Sequence, residues 1–205
     1  MTKSLFITFE GPDGSGKTTQ ISRLANWLAE RGFVVVCTRE PGGTPAAERI
    51  REIVLDPALP IKAEAETLLY LAARAEHVEK IIVPALAAGK TVLCDRFSDS
   101  TLVYQGITRG IDLKTLRLLN GFATKGLEPD ITFLLDADPE HLELRRQERG
   151  IQDRFELEGI SFQQKVRKGF MQLAGEDKKR IKVINALQDL DAITKEITML
   201  IEQRF

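Results

Sequence analysis

The stretch Gly11-Pro12-Asp13-Gly14-Ser15-Gly16-Lys17-Thr18-Thr19 decides the fold of this chain. It matches the pattern GxxxxGK[ST], in which the backbone N–H groups of a glycine-rich turn and of the following helix N-terminus surround a phosphate. An apolar run, Leu5 to Phe9, precedes it and predicts a buried strand. Apolar residues then recur at helical spacing from Ile21 to Leu28, and Gly32 ends that pattern. Strand, loop and helix therefore occur in the order that a phosphate-binding loop requires.

The residue types of this loop predict how it holds a nucleotide. Gly11, Gly14 and Gly16 can adopt the positive φ angles that a tight loop needs. We predict that Lys17 bridges the β and γ phosphates of ATP and that the Thr18 hydroxyl binds Mg²⁺, so ATP and Mg²⁺ are the expected cofactors. The predicted ATP-binding residues of the loop are Gly11, Pro12, Asp13, Gly14, Ser15, Gly16, Lys17, Thr18 and Thr19.

Four further apolar runs predict strands that are covered on both faces. They are residues 33–38, 91–94, 131–135 and 181–184. Helical patterns alternate with them, which predicts an α/β fold: a three-layer α/β/α P-loop protein around a five-stranded parallel sheet. A chain of 205 residues that is 43% hydrophobic suits one domain over residues 1–205. Residues 98–112 are polar and contain glycines, and they predict no regular element.

Composition narrows the partners and the compartment. A net charge of −1 offers no overall attraction to nucleic acid or to an acidic membrane, so we expect neither as a partner. Cys37 and Cys94 both lie in apolar runs, where buried free thiols are expected, and this usage suits a reducing cytoplasm. The longest apolar run, Ile81 to Ala88, contains Pro84 and is too short to span a bilayer.

Two further segments carry candidate chemistry. Asp95 ends the third predicted strand, where a carboxylate beside a phosphate loop can hold Mg²⁺, although a salt bridge at the strand end is the plainer alternative. Residues 144–156 contain many charges, including Arg145, Arg149 and Arg154. Such a run is normally a solvated helix face, but after the fourth strand it could form a lid, about residues 139–160, whose arginines meet phosphate charge.

The loop alone does not separate a kinase, a hydrolase and a nucleotide-switched binding protein. A switch GTPase should show an Asn-Lys-x-Asp segment on a late strand, and Ile184-Asn185-Ala186-Leu187 lacks it. A kinase needs a second pocket for an anion, which Arg51, Arg74 and Arg96 could form. A nucleotide-dependent P-loop ATPase that acts as a binding or assembly module remains the alternative.

Several motifs in this order resemble the bacterial thymidylate kinase family of nucleoside monophosphate kinases. They are FEGPDGSGKTTQ (9–20), TREPGGT (38–44), LLYLAAR (68–74), CDRFSDSTLVYQG (94–106), RGID (109–112) and DRFE (153–156). The resemblance implies phosphorylation of dTMP to dTDP with ATP, in dTTP synthesis, by a homodimer. Adenylate and uridylate kinases, which share the fold, usually have a different loop and lack TREPGG.

The resemblance also implies roles for individual residues. Asp13 would hold the 3′-hydroxyl of dTMP, Tyr70 would stack on thymine, and Arg74 would donate to a thymine carbonyl. Arg96 would clamp the dTMP phosphate with help from Arg51. The implied dTMP-binding residues are Asp13, Arg51, Tyr70, Arg74, Arg96, Ser100, Tyr104 and Gln105, with Tyr104 crowding out a ribose 2′-hydroxyl.

A final implication concerns the lid. In one group of this family the phosphate loop carries an extra arginine, but Gly14 stands at that position here, so the lid must supply it. Arg149 is the first choice, with Arg145 and Arg154 also expected at ATP, while Gln147 stands where such lids often carry another basic residue. The expected catalytic residues are thus Lys17, Asp95, Arg96 and Arg149.

Overall fold

The structure of the chain is a computed structural model that describes residues 4–147 and 154–204, with side chains throughout these ranges except at 144–147 and 156. Five strands form one parallel sheet in the order β2-β3-β1-β4-β5. They are β1 Phe6–Glu10, β2 Val35–Arg39, β3 Thr91–Asp95, β4 Ile131–Asp136 and β5 Ile181–Asn185. The predicted α/β fold with a five-stranded parallel sheet is confirmed.

Helices connect the strands and flank the sheet. They are α1 Lys17–Ala29, α2 Pro45–Leu55, α3 Ala63–His77, α4 Val83–Ala87, α5 Ser98–Thr101, α6 Leu113–Thr124, α7 Pro139–Gln147, α8 Ile160–Glu176 and α9 Leu190–Glu202. A π-helical segment, Val78–Ile82, joins α3 to α4, a second one, Leu102–Thr108, continues α5, and a 3₁₀ turn spans Glu156–Glu158.

The central strand β1 shows why the apolar runs do not alternate with polar residues. Ile7 and Phe9 pack in one cluster with residues of α1 and α9. Phe6, which points to the opposite face, packs with Val78 and Ile82. A strand covered on both faces must be apolar at successive positions. The phosphate loop begins at the carboxyl end of this central strand, which is where open parallel sheets bind ligands.

The prediction that the strand is covered on both faces is wrong for β2. Its residues are half-buried or exposed, and Cys37, predicted to be buried, is exposed, whereas Cys94 on β3 is buried as expected. The reason is the position of β2 at the margin of the sheet, where only β3 lies beside it and the helical layers end.

The segment 98–112 is more regular than its sequence predicts. It contains α5 and the π-helical segment Leu102–Thr108. Within that segment, a Cβ at Gly106 would lie 2.5 Å from the side chain of Leu113. A π-helical turn does not follow the 3.6-residue period, so the usual pattern does not reveal it. In the described ranges, no helix is both long and apolar enough to cross a membrane.

Candidate active site

The phosphate loop between β1 and α1 has the predicted backbone geometry. Gly11, Gly14 and Gly16 have φ angles of 134°, 84° and 90°. Gly11 has a second constraint, because a Cβ there would lie 2.4 Å from the carbonyl oxygen of Leu135 on β4. The loop therefore needs glycine for its φ angle and for its close approach to the neighbouring strand.

The Lys17 ammonium lies over this loop. It donates to the carbonyl oxygens of Gly11 and Pro12, both at 3.0 Å, and lies 4.0 Å from a carboxylate oxygen of Asp13. Burial, and next the positive charge of Arg96, lower the pKa of Lys17. The loop thus holds a cation where the motif places the β and γ phosphates.

Thr18 and Asp95 meet at the carboxyl end of the sheet. The Thr18 hydroxyl donates to Asp95 Oδ2 at 3.1 Å, across 77 residues of sequence. Hydroxyl and carboxylate oxygens are ligands that Mg²⁺ accepts, and Mg²⁺ usually takes few protein ligands beside phosphate oxygens and water. Among the described residues no three His, Cys, Asp or Glu side chains form a metal cluster.

Arg96 connects the phosphate loop to the rest of the site. It follows β3 with a φ of 67°, a left-handed conformation that non-glycine residues rarely adopt and that is common at functional sites. Its guanidinium donates to Asp13 Oδ1 at 2.6 Å and lies 5.3 Å from the centre of the Tyr104 ring. Burial alone would lower the pKa of Arg96, but nearby carboxylates, Asp13 first, raise it well above its ordinary value.

Glu10, which the sequence did not single out, supports the turn that carries Arg96. Its buried carboxylate accepts from the Phe97 N–H at 2.8 Å and from the Ser100 hydroxyl at 2.6 Å. Burial, and next the negative charge of Asp99, raise the pKa of Glu10 to about 7. The available signal was a carboxylate at the end of a strand that is mostly apolar.

A cleft opens beside Arg96, and the structure brings every predicted dTMP-binding residue to its wall. Its lining residues are Asp13, Glu40, Pro41, Arg51, Leu55, Tyr70, Arg74, Arg96, Ser100, Thr101, Tyr104, Gln105 and Phe155. Arg51 donates to the Pro41 carbonyl oxygen at 2.9 Å, which holds it at the rim near the TREPGGT loop. The cleft therefore combines arginines, suited to an anion, with aromatic rings, suited to a planar group.

Arg74 is the most heavily bonded of these residues and is only 2% exposed. Its Nε donates to Glu40 at 2.8 Å, its Nη1 to Thr101 at 2.7 Å and to Asn120 at 2.6 Å, and its Nη2 to the Phe97 carbonyl oxygen at 3.0 Å. Four of its five N–H donors are thus used within the described part of the chain, which leaves one on Nη2 for a ligand.

Glu40 and His77 complete this network, and the sequence did not identify either one. The buried His77 ring lies between Glu40 Oε1, at 3.0 Å from Nδ1, and the Thr38 hydroxyl, at 2.6 Å from Nε2. His77 lies three residues after Arg74 on α3, a spacing that places both side chains on one helix face. Two signals were available: Glu40 belongs to the TREPGGT motif, and His77 is a polar residue on a helix face that the core covers.

The predicted lid is described in part. Arg149 lies outside the described residues, and so does the side chain of Arg145, whose backbone belongs to α7. Arg154 is described: its guanidinium contacts the buried carboxylate of Glu66 on α3 and lies 5.1 Å from the centre of the Phe155 ring, beside the cleft. Its expected role at ATP stays a prediction.

Comparison with known proteins identifies the family. The family model described as thymidylate kinase matches residues 9–197. The chain is 47% identical to the thymidylate kinase of Deinococcus radiodurans over 100% of this chain and 99% of that one, and 49% identical to that of Geotalea daltonii over 94% of each. A crystal structure of thymidylate kinase from Ehrlichia chaffeensis matches with a TM-score of 0.80 at 37% identity, covering 97% of this chain and 98% of that one.

The family match spans the phosphate loop, the cleft and both ends of the predicted lid, so fold, site and relatives agree. The chain therefore belongs to the thymidylate kinase family, the enzymes that phosphorylate dTMP to dTDP.

Proposed function

We propose that this chain transfers the γ-phosphoryl group of ATP, in line, to the phosphate of dTMP bound in the cleft, and so serves dTTP synthesis. The observation that carries the proposal is the position of Arg96. Its guanidinium contacts Asp13 of the phosphate loop and also lines the cleft with Arg51 and Tyr70. These contacts support a role for Arg96 between the expected donor and acceptor phosphates.

Charge neutralisation, rather than acid–base chemistry, is the main requirement of this reaction. The acceptor is a phosphate monoester whose second pKa is about 6, so its attacking oxygen is already ionised near neutral pH. Lys17 and Arg96 would stabilise the negative charge that develops between the two nucleotides. Because Gly14 leaves the phosphate loop without an arginine, we propose that Arg149 supplies the further positive charge, with Arg145 and Arg154 assisting.

We propose Thr18 and Asp95 as the residues that hold Mg²⁺, directly or through water. When bound, the ion would neutralise the phosphate oxygens of ATP and orient them. The hydrogen bond between the Thr18 hydroxyl and Asp95 supports this assignment, since it keeps two hard oxygen ligands next to the phosphate loop.

The cleft offers the contacts that a thymine deoxynucleotide needs. We propose that Tyr70 stacks on the base, that the remaining Nη2 proton of Arg74 binds a base carbonyl, and that Asp13 holds the 3′-hydroxyl. The buried Tyr104 ring would exclude a 2′-hydroxyl, with Ser100 and Gln105 near the base and Arg51 assisting Arg96. The rigidity of Arg74, with four protein hydrogen bonds, supports a role in base recognition, because a fixed donor discriminates better than a mobile one.

A coupled assay for ADP formation tests the proposal against the alternative of a binding ATPase. Turnover should depend on dTMP, and Arg96→Ala should lower kcat by roughly a hundredfold or more while the protein still folds. Arg117→Ala, which removes an exposed arginine paired with Glu176, is the matched control and should keep full activity. Turnover that is indifferent to every nucleoside monophosphate would instead support the ATPase.

We also propose a homodimer. Helix α3 packs against α2 and α6, and this layer carries exposed apolar side chains at Leu68, Leu118 and Phe122, the last two 70% and 85% exposed. Such a patch is typical of an interface with a second copy. Sedimentation should show a dimer that Phe122→Glu weakens.

The two free thiols support our further proposal that the protein works in the cytoplasm.

A further inference from the structure

Glu66 is a buried carboxylate that neither the sequence motifs nor the proposed reaction uses. It lies on α3, one turn before Tyr70, and is 1% exposed. Its Oε1 accepts from Gln105 Nε2 at 2.8 Å and lies 3.8 Å from Arg109 Nε, while its Oε2 contacts Arg154. Burial of a carboxylate costs several kcal/mol unless cations and donors compensate it. Glu66 therefore depends on three partners from two other segments of the chain, Gln105 and Arg109 in one and Arg154 in the other.

The two arginines of this unit lie against one aromatic ring. The guanidinium carbon of Arg154 is 5.1 Å, and that of Arg109 is 5.7 Å, from the centre of the Phe155 ring. Arg109 also donates to Glu158 at 2.6 Å, so the stretch 154–158 is tied at both ends. Removal of the Glu66 charge would leave two partly buried arginines with one carboxylate instead of two.

Phe155 in turn forms part of the cleft wall. Its ring centre lies 5.4 Å from that of Tyr104 and 6.3 Å from that of Tyr70, both in edge arrangements. Gln105, the third partner of Glu66, lines the same cleft. The contacts of Glu66 therefore end on Phe155 and Gln105, which face the proposed position of the acceptor base.

We propose that Glu66 is a positioning residue for the acceptor nucleotide: through Arg154 and Arg109 it fixes Phe155, and through Gln105 it fixes a polar edge, so that the cleft is shaped for a flat base before the base arrives. The inference rests on the proposed function. It states that Glu66 affects the KM for the acceptor nucleotide and not the KM for ATP, because its contacts within the described ranges end at the cleft. Assistance by Arg154 during phosphoryl transfer would appear in kcat instead.

The test is steady-state kinetics of Glu66→Gln with each substrate varied in turn. The substitution keeps the shape and removes the charge, and the KM for dTMP should rise by about tenfold, the effect of one lost charge-assisted hydrogen bond. The KM for ATP should stay within about twofold, as it should for the control Glu64→Gln, which alters an exposed glutamate on the same helix. Equal changes in both KM values, or an unchanged KM for dTMP, would overturn the inference.

A double-mutant cycle separates positioning from general stability. If Glu66 acts through the ring, Phe155→Leu should raise the KM for dTMP, and Glu66→Gln should add little in that background. Fully additive effects on the KM for dTMP would contradict the proposal that Glu66 acts through Phe155. If Glu66→Gln fails to fold, Phe155→Leu alone still tests whether this ring affects the KM for dTMP. Calorimetry with dTMP separates the two proposals. No binding to the parent protein would refute the proposed function itself, whereas binding that Glu66→Gln leaves unchanged would refute only the role of Glu66.

Discussion

The buried carboxylate of Glu10 makes a quantitative prediction for stability as a function of pH. Its pKa is raised from an ordinary value of 4.5 to about 7, first by burial and next by Asp99. Between these values the folded protein keeps a proton that the unfolded chain releases, so the free energy of unfolding falls as pH rises. A pKa difference of about 2.5, at about 1.36 kcal/mol per unit, corresponds to about 3 kcal/mol lost between pH 4.5 and 7 and little further change above it.

Glu10→Gln removes this titration with little change in shape. The amide oxygen can still accept from the Phe97 N–H, and the amide nitrogen can donate to the Ser100 hydroxyl oxygen, which now lies 2.6 Å from the carboxylate. The variant should therefore lack the part of the pH dependence that Glu10 contributes, while other titrating groups act equally in both proteins.

Urea unfolding of both proteins from pH 5 to pH 8 at constant ionic strength measures the effect. The parent should lose about 2 to 3 kcal/mol relative to Glu10→Gln over this range. Glu30→Gln, at an exposed position after α1, should follow the parent curve. Parallel curves for the parent and Glu10→Gln would refute the reasoning, because they would mean that Glu10 ionises at the same pH in the folded and unfolded chains.

Three further predictions concern the residues around the cleft and the loop. Gly43→Ala should lower the free energy of unfolding by about 2 to 3 kcal/mol, and the control Gly126→Ala by about 1 kcal/mol. Both glycines have positive φ, but only a Cβ at Gly43 would lie 2.6 Å from the buried His77 ring. Equal losses in urea unfolding would contradict this reasoning. Arg74→Lys should lower the free energy of unfolding by about 3 kcal/mol or more and raise the KM for dTMP, since one ammonium cannot replace four guanidinium hydrogen bonds. A melting temperature equal to the parent's would refute this prediction. Thr18→Val, at an exposed position, should raise the Mg²⁺ concentration needed for half-maximal activity roughly tenfold without loss of stability, whereas an unchanged Mg²⁺ requirement would exclude Thr18 as a ligand.

Some features lay within the reach of the sequence and others did not. Helix α1 occurs where apolar residues recur at helical spacing, and the strands β3, β4 and β5 begin at the predicted residues and end one residue later. The exposure of Cys37 did not follow, because an apolar β-branched run has the same composition at the margin of a sheet as at its centre. The helical character of Leu102–Thr108 was also missed, since its π-helical hydrogen bonds break the period that the pattern relies on.

The local chemistry of the phosphate loop was determined by sequence alone, because the φ angles of its glycines and the order of strand, loop and helix depend on residues close together in the chain. Which charges meet was decided only by the tertiary structure. Arg96 reaches Asp13 across 83 residues, and Arg154 reaches Glu66 across 88, because the parallel sheet and its helical layers bring separate carboxyl ends to one edge. Ion pairs of this kind leave no periodic trace in a sequence, since the burial that makes each partner necessary exists only in the folded chain.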